Sequence, residues 1–186
     1  MRSRPRLRKF ALTAHVVSSV GWLGAVVVFL ALSVVGLTSQ DPGVVRAAYL
    51  AMESIGWLVL VPLSAASLLT GLLQSLGTRW GLFVHYWVLM KLGITVVATI
   101  VLLLYMQTLK HLAGVAAELP LASGDLDGLR SASPLLHSGA ALLLLLVAAT
   151  LSVYKPPGMT RYGQRKQRAR TMSSSHGNEP APAESA

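Results

Sequence analysis

The sequence predicts an all-α membrane protein, a four-helix antiparallel transmembrane bundle with both termini in the cytoplasm. Charged residues make up only 12% of the 186 residues, about half of the share that is usual in soluble domains. Four apolar stretches each have about 20 residues or more, enough to cross about 30 Å of hydrocarbon as a helix. Most lysine and arginine residues lie in the segments that this orientation places in the cytoplasm.

The chain divides into three parts. Residues 1–9 form a basic cytoplasmic arm, residues 10–154 form the transmembrane domain, and residues 155–186 form a tail that is first basic and then disordered. The predicted spans cover about residues 10–37, 48–76, 83–109 and 135–154. The tail beyond Arg170 lacks apolar side chains to bury, and we therefore expect it to be disordered.

The first two spans are separated by a turn at residues 38–43 (TSQDPG), where proline and glycine interrupt helical structure. The first span carries no formal charge and is longer than the apolar core of a signal peptide, about 7–15 residues. It is therefore predicted to be a retained helix. Pro62 lies inside the second span, and we expect it to kink that helix.

The last two spans are separated by the longest loop, residues 110–134. The third span follows a tight turn at residues 77–81 (GTRWG) and contains one charged residue, Lys91. The fourth span is the most apolar, with five consecutive leucines at residues 142–146, and the sequence KPPG at residues 155–158 ends it.

The distribution of basic residues predicts the orientation. The predicted inner segments hold five in the N-terminal arm, one at Arg79 and six after the fourth span, whereas the outer loops hold three: Arg46, Lys110 and Arg130. This bias places both termini in the cytoplasm of a cell whose plasma membrane the chain crosses several times. The expected partners are the bilayer and its anionic head groups, and the formal net charge of +9 does not indicate nucleic-acid binding.

Cysteine is absent, which excludes disulfides, thiolate metal sites, iron–sulfur ligation and covalently attached haem. Ionisable residues at membrane depth are then the candidates for function, since they are costly in lipid. His15 and His85 both lie near the predicted inner face, and they could serve as axial ligands of a non-covalently bound b-type haem. Lys91 could pair with a haem propionate, or its side chain could extend to the head groups instead.

Two further sets of polar residues have simpler interpretations. Glu53, His111 and His137 lie toward the outer side, where they could hold a metal ion or another haem, or simply lie at the membrane interface. The second span carries a stripe of small and polar residues, and hydrogen bonding between helices accounts for it: Ser64, Ser67, Gly71 and Gln74.

Several motifs resemble known membrane proteins. His15 followed by Trp22, Trp87 followed by Lys91, and the Lys155-Pro156 pair resemble a broad group of four-helix bacterial proteins. This group includes the copper-resistance protein D family and the four-helix, membrane-bound protoporphyrinogen oxidases. The stretches HYWVLMKLGITVVATIVLLL (85–104) and LSVYKPPGMTRYG (151–163) look more like predicted integral membrane proteins of actinobacteria, a family with no assigned activity.

The resemblance to the oxidases implies b-type haem at His15 and an active-site role for Lys91. That family usually has a histidine two positions before the lysine, where this chain has Leu89, and a basic residue after the Trp-Gly stretch of the first helix, which is missing here. Two hypotheses therefore remain. One is a haem-binding, redox-linked membrane protein. The other is a non-enzymatic membrane subunit or metal-handling transport component without a cofactor. The chain could act alone, as a homo-oligomer or with a membrane partner.

Overall fold

The computed structural model describes residues 5–77, 85–118 and 129–154, together with residues 158, 160, 161, 163–165 and 168. The elements are α1 (Pro5–Thr38), α2 (Pro42–Ile55), a π-helical turn (Gly56–Leu60), α3 (Val61–Gly77), α4 (Tyr86–Glu118) and α5 (Ser133–Tyr154). Because α2, the π turn and α3 are continuous, they form one span. The predicted all-α fold with four helices long and apolar enough to cross a membrane is confirmed. The predicted disordered tail and the turn at residues 78–81 lie outside the described residues.

The junction between α1 and α2 is shorter than the turn that the sequence predicted. The Asp41 carboxylate accepts hydrogen bonds from the backbone N–H groups of Gly43 (2.8 Å) and Val44 (3.3 Å), and so it caps α2. Pro42 occupies the first helical position, where a backbone N–H has no acceptor within the helix. A proline at this position therefore costs the helix no hydrogen bond. Pro42 and Gly43 therefore begin the second span, which starts well before residue 48.

The predicted kink at Pro62 takes the form of the π turn. Proline has no N–H to donate, and its ring would collide with the carbonyl group four residues earlier in a regular α-helix. The backbone N–H of Val61 bonds to the carbonyl of Gly56, five residues earlier, and this widens the helix just before Pro62. The same turn buries Gly56, which faces the side chain of Met106 on α4.

Each span packs against two neighbours, so that the four form a ring. Helix α1 contacts α2, α3 and α5, and α4 contacts α2, α3 and α5. Helices α1 and α4 are therefore diagonal to each other. The core is apolar and includes Trp22, Phe29, Tyr49, Met52 and Met106, while large apolar side chains also cover the outer surface of the bundle. An apolar exterior of this kind fits a lipid environment.

We call the end of the bundle where α1 begins the inner end, and the opposite end the outer end. Helix α4 continues to Glu118 at the outer end, so the first part of the predicted loop at residues 110–134 is helical. Leu129 is fully buried there, where its carbonyl accepts a hydrogen bond from the Tyr49 hydroxyl (2.5 Å). This contact ties the chain before α5 to α2.

Candidate functional site

His15, toward the inner end of α1, is held by α3. Its Nδ1 lies 3.1 Å from the carbonyl oxygen of Ser67 and 3.2 Å from the Thr70 hydroxyl. Since a carbonyl oxygen only accepts, Nδ1 carries a ring proton in this contact, and in the neutral imidazole Nε2 then carries the lone pair. Gly71 allows the close approach, because a Cβ at that position would lie 3.1 Å from Cε1 of the imidazole.

Polar contacts continue along the interface between α1 and α3 on both sides of His15. The hydroxyl groups of Ser19 and Ser67 are 2.8 Å apart, and the Gln74 side-chain amide donates to the carbonyl of Ala11 (2.9 Å). The prediction that this stripe joins two helices is confirmed for Ser67 and Gln74. Ser64 instead donates to the carbonyl of Val61 in its own helix.

Lys91 lies half-buried on α4, toward the inner end of the bundle. The Thr95 hydroxyl donates to the backbone carbonyl of Lys91, and the Thr99 hydroxyl donates to that of Thr95, both at 2.8 Å. These bonds satisfy the two threonine hydroxyls within α4. The structure therefore places a basic side chain toward the same end of the bundle as His15, on a helix that packs against α3.

His85 immediately precedes α4, on the span diagonal to α1. Its imidazole is half-buried, and its ring centroid lies 6.4 Å from that of Trp87. His15 is thus held by α3 rather than by the segment that carries His85. Within the described ranges, no group of three or more His, Asp or Glu side chains could hold a metal ion.

The predicted outer residues do not form one cluster. The exposed imidazole of His137 stacks on Tyr105, with ring centroids 4.1 Å apart and planes 18° from parallel. His111 lines a separate surface depression together with Lys110 and Glu118. Glu53 is half-buried in α2.

Tyr105 is a buried polar residue that the sequence did not single out. Its side chain is 7% exposed, and its hydroxyl has no hydrogen-bond partner in the described part of the chain. The Ser133 side chain approaches this hydroxyl but does not reach hydrogen-bond geometry. A tyrosine within an apolar run, about one turn before the predicted end of the third span, was the available sequence signal.

A cavity of about 100 Å³ lies between α1, α4 and α5, beside Tyr105 and His137. Its walls are almost entirely apolar and include Trp22, Phe29 and Met106. The residues with polar side-chain atoms that line it are Trp22, Tyr105, His137 and Ser138. Comparison with models of known protein families, with curated proteins and with solved structures finds no match to this chain.

Proposed function

We propose that this chain is a multi-pass plasma-membrane protein that binds b-type haem through His15 and has a redox-linked role. The hydrogen bond from Nδ1 of His15 to the Ser67 carbonyl carries the proposal. An imidazole that ligates iron must be neutral, with a lone pair on the ligating nitrogen, and a backbone carbonyl bonded to the other nitrogen favours that state. Ser67 thus holds His15 in the tautomer that an iron ligand needs.

The surrounding residues fit a haem chemically. The Lys91 ammonium provides a cation toward the inner end of the bundle, the end at which His15 lies, and it is suited to a propionate carboxylate. His85 is the candidate for a second axial ligand, because the start of α4 lies across the bundle from α1. A bound haem would supply one-electron chemistry, and the protein would hold it, neutralise its carboxylates and exclude water.

The test is the absorption spectrum of protein produced with added haem and purified in a mild detergent. We expect a red protein with sharp α and β bands after reduction with dithionite, and loss of this spectrum in both His15→Ala and His15→Gln. Glutamine can still hydrogen-bond to Ser67 and Thr70, and it therefore separates iron ligation from helix packing. Lys91→Gln should weaken haem retention without removing an iron ligand.

His137→Ala is the matched control, since His137 lies at the outer end and should not affect an inner haem. A spectrum that depends on His137 and not on His15 would indicate that the haem binds at the outer end of the bundle. A colourless wild-type protein would contradict haem binding altogether.

A second candidate function is that of a membrane subunit or transport component without a cofactor. The observation that favours it is the row of polar contacts on both sides of His15, Ser19 with Ser67 and Gln74 with Ala11. The bond from His15 to Ser67 would then be one more contact between helices. In that case the protein never acquires haem. The His15→Gln variant should then unfold at nearly the wild-type temperature, because glutamine can still hydrogen-bond to Ser67 and Thr70.

Both proposals share one topology, with the basic flanks at cytoplasmic head groups, and it can be tested with single cysteines because the chain has none. In Gln40→Cys, the exposed position between α1 and α2 should react with a membrane-impermeant maleimide on intact cells. In Ser174→Cys, the tail should react only after lysis. Labelling of position 174 in intact cells would contradict the orientation.

A further inference from the structure

The chain that follows α5 returns to the start of α4 at the inner end of the bundle. The backbone N–H of Tyr86 donates a hydrogen bond to the carbonyl of Gly158 (3.4 Å). The Thr160 hydroxyl then accepts a hydrogen bond from the backbone N–H of Gly163 (3.1 Å), which is the contact that a threonine makes when it caps the start of a helix. The basic sequence after the fourth span is therefore folded at these positions.

Three arginines lie on one side of this segment. Residues 161, 163–165 and 168 are helical, and the spacings of four and three residues place Arg161, Arg165 and Arg168 on the same face of a helix. All three side chains are exposed, whereas Thr160 and Gly163 are buried. We call these three residues the arginine face. The buried side of the segment is turned toward the protein, and the arginine face is turned away from it.

The arginine face has no carboxylate to pair with at its end of the bundle. None of its side chains forms an ion pair or a hydrogen bond with another described residue. Acidic residues are absent from residues 1–40, 54–117 and 128–178, the stretches that contain all described parts of the inner end. Like charges at this spacing repel each other, so an anion that binds from outside would stabilise the segment.

The level of the arginine face in the membrane favours a lipid head group as that anion. Tyr86 and Tyr154, at the inner ends of α4 and α5, are 53% and 80% exposed. Exposed tyrosines at the ends of spans are typical of the head-group level. The hydrogen bond between Tyr86 and Gly158 holds the segment there. A guanidinium group binds phosphate oxygens with two parallel hydrogen bonds.

We propose that the arginine face is a binding site for an anionic phospholipid, which it recognises by the phosphate of the head group. The acyl chains of this lipid lie against exposed apolar side chains near the inner end, such as Met90 and Val153. Because the segment is already folded, binding does not first have to order the arginines. This assigns one saturable site to three residues, beyond the general attraction of basic flanks to head groups. It does not depend on haem.

The test is the binding of phosphatidylglycerol, labelled on an acyl chain with a fluorophore, to protein purified in a non-ionic detergent. We expect a saturable rise in fluorescence anisotropy. Unlabelled phosphatidylglycerol should reverse it, whereas phosphatidylcholine, whose head group has no net charge, should not. Inorganic phosphate at the same concentration should not reverse it either, because it has no acyl chains. A rise that phosphatidylcholine or inorganic phosphate reverses equally well would overturn the proposal.

Two variants with the same net charge decide whether the arginine face is the site. Replacing all three of its arginines by glutamine should weaken binding roughly 100-fold, from the usual contribution of a basic residue near a membrane surface. The control combines Arg6→Gln, Arg8→Gln and Lys9→Gln, which removes three exposed charges at the same end. These side chains are spread around α1 instead of sharing one face, so binding should weaken far less.

Thr160→Val keeps every charge and removes the hydroxyl that bonds to Gly163, so it tests whether the folded segment matters. Loss of a helix cap of this kind should weaken binding roughly 5-fold. Equal losses in the two triple variants, or unchanged affinity in Thr160→Val, would indicate diffuse attraction to basic charge and overturn the proposal. Melting temperatures without lipid show that each variant is folded, and the absorption spectrum of the same samples tests haem separately.

Discussion

Replacing Gly56 with leucine should lower the free energy of unfolding by about 1–3 kcal/mol or more, which is the usual effect of adding bulk to a filled core. A Cβ at Gly56 would lie 2.6 Å from Cε and 2.7 Å from Sδ of Met106. The end of a methionine side chain can usually move aside. Here Met106 and its neighbour Leu109 are both fully buried, so the Met106 side chain can move aside only by repacking the core or by entering the cavity that it lines.

Gly93→Leu is the matched control for this prediction. Gly93 also lies within a spanning helix, and nothing lies within 4 Å of a Cβ built on it. Both substitutions change the helix propensity alike, favouring leucine over glycine by up to about 1 kcal/mol. The difference between the two melting temperatures in one detergent therefore reports the contact with Met106. Equal melting temperatures would show that α2 and α4 can separate at the π turn without loss.

The four spans were predictable because hydrophobicity over about 20 residues depends on composition, which the sequence states directly. An irregularity near Pro62 was predictable from the proline itself, because proline cannot continue a regular hydrogen-bond pattern. The π turn was not predictable. It depends on how α2 and α3 pack against α4, and the contact between Gly56 and Met106 joins positions that lie far apart along the chain.

The candidate site was predictable only in part. Helical periodicity indicated that His15 shares a face with small residues, but it does not identify the neighbouring helix. The sequence indicated His85 as the second candidate ligand, and it did not indicate that the Ser67 carbonyl of α3 lies beside the His15 ring. That acceptor belongs to the backbone, so no residue type in the sequence announces it. Ser67 also offers two possible acceptors, its hydroxyl and its backbone carbonyl, and the sequence does not indicate which of them bonds to His15.

Tyr105 and the cavity beside it were outside the reach of the sequence. Tyrosine is neutral at pH 7, so it does not stand out in an apolar run as a charged residue or a histidine does. A cavity arises from the fit of three helices rather than from any one segment. The difference between a satisfied and an unsatisfied hydroxyl is likewise a property of packing. Two buried tyrosines near the outer end, Tyr49 and Tyr105, make this difference measurable.

The same substitution at these two tyrosines should change stability in opposite directions. Tyr49→Phe removes the donor to the Leu129 carbonyl and leaves that carbonyl without this bond, so the free energy of unfolding should fall by about 1–3 kcal/mol. Tyr105→Phe removes a buried hydroxyl that has no partner among the described residues, so stability should rise, by about 1 kcal/mol.

Each substitution removes one oxygen and keeps the ring, and both side chains are more than nine-tenths buried. Loss of packing is therefore the same in both, and only the hydrogen bonding differs. The measurement is the melting temperature of each variant in one detergent. A fall for Tyr105→Phe would contradict this prediction and would mean that the hydroxyl has a hydrogen-bond partner in the purified protein.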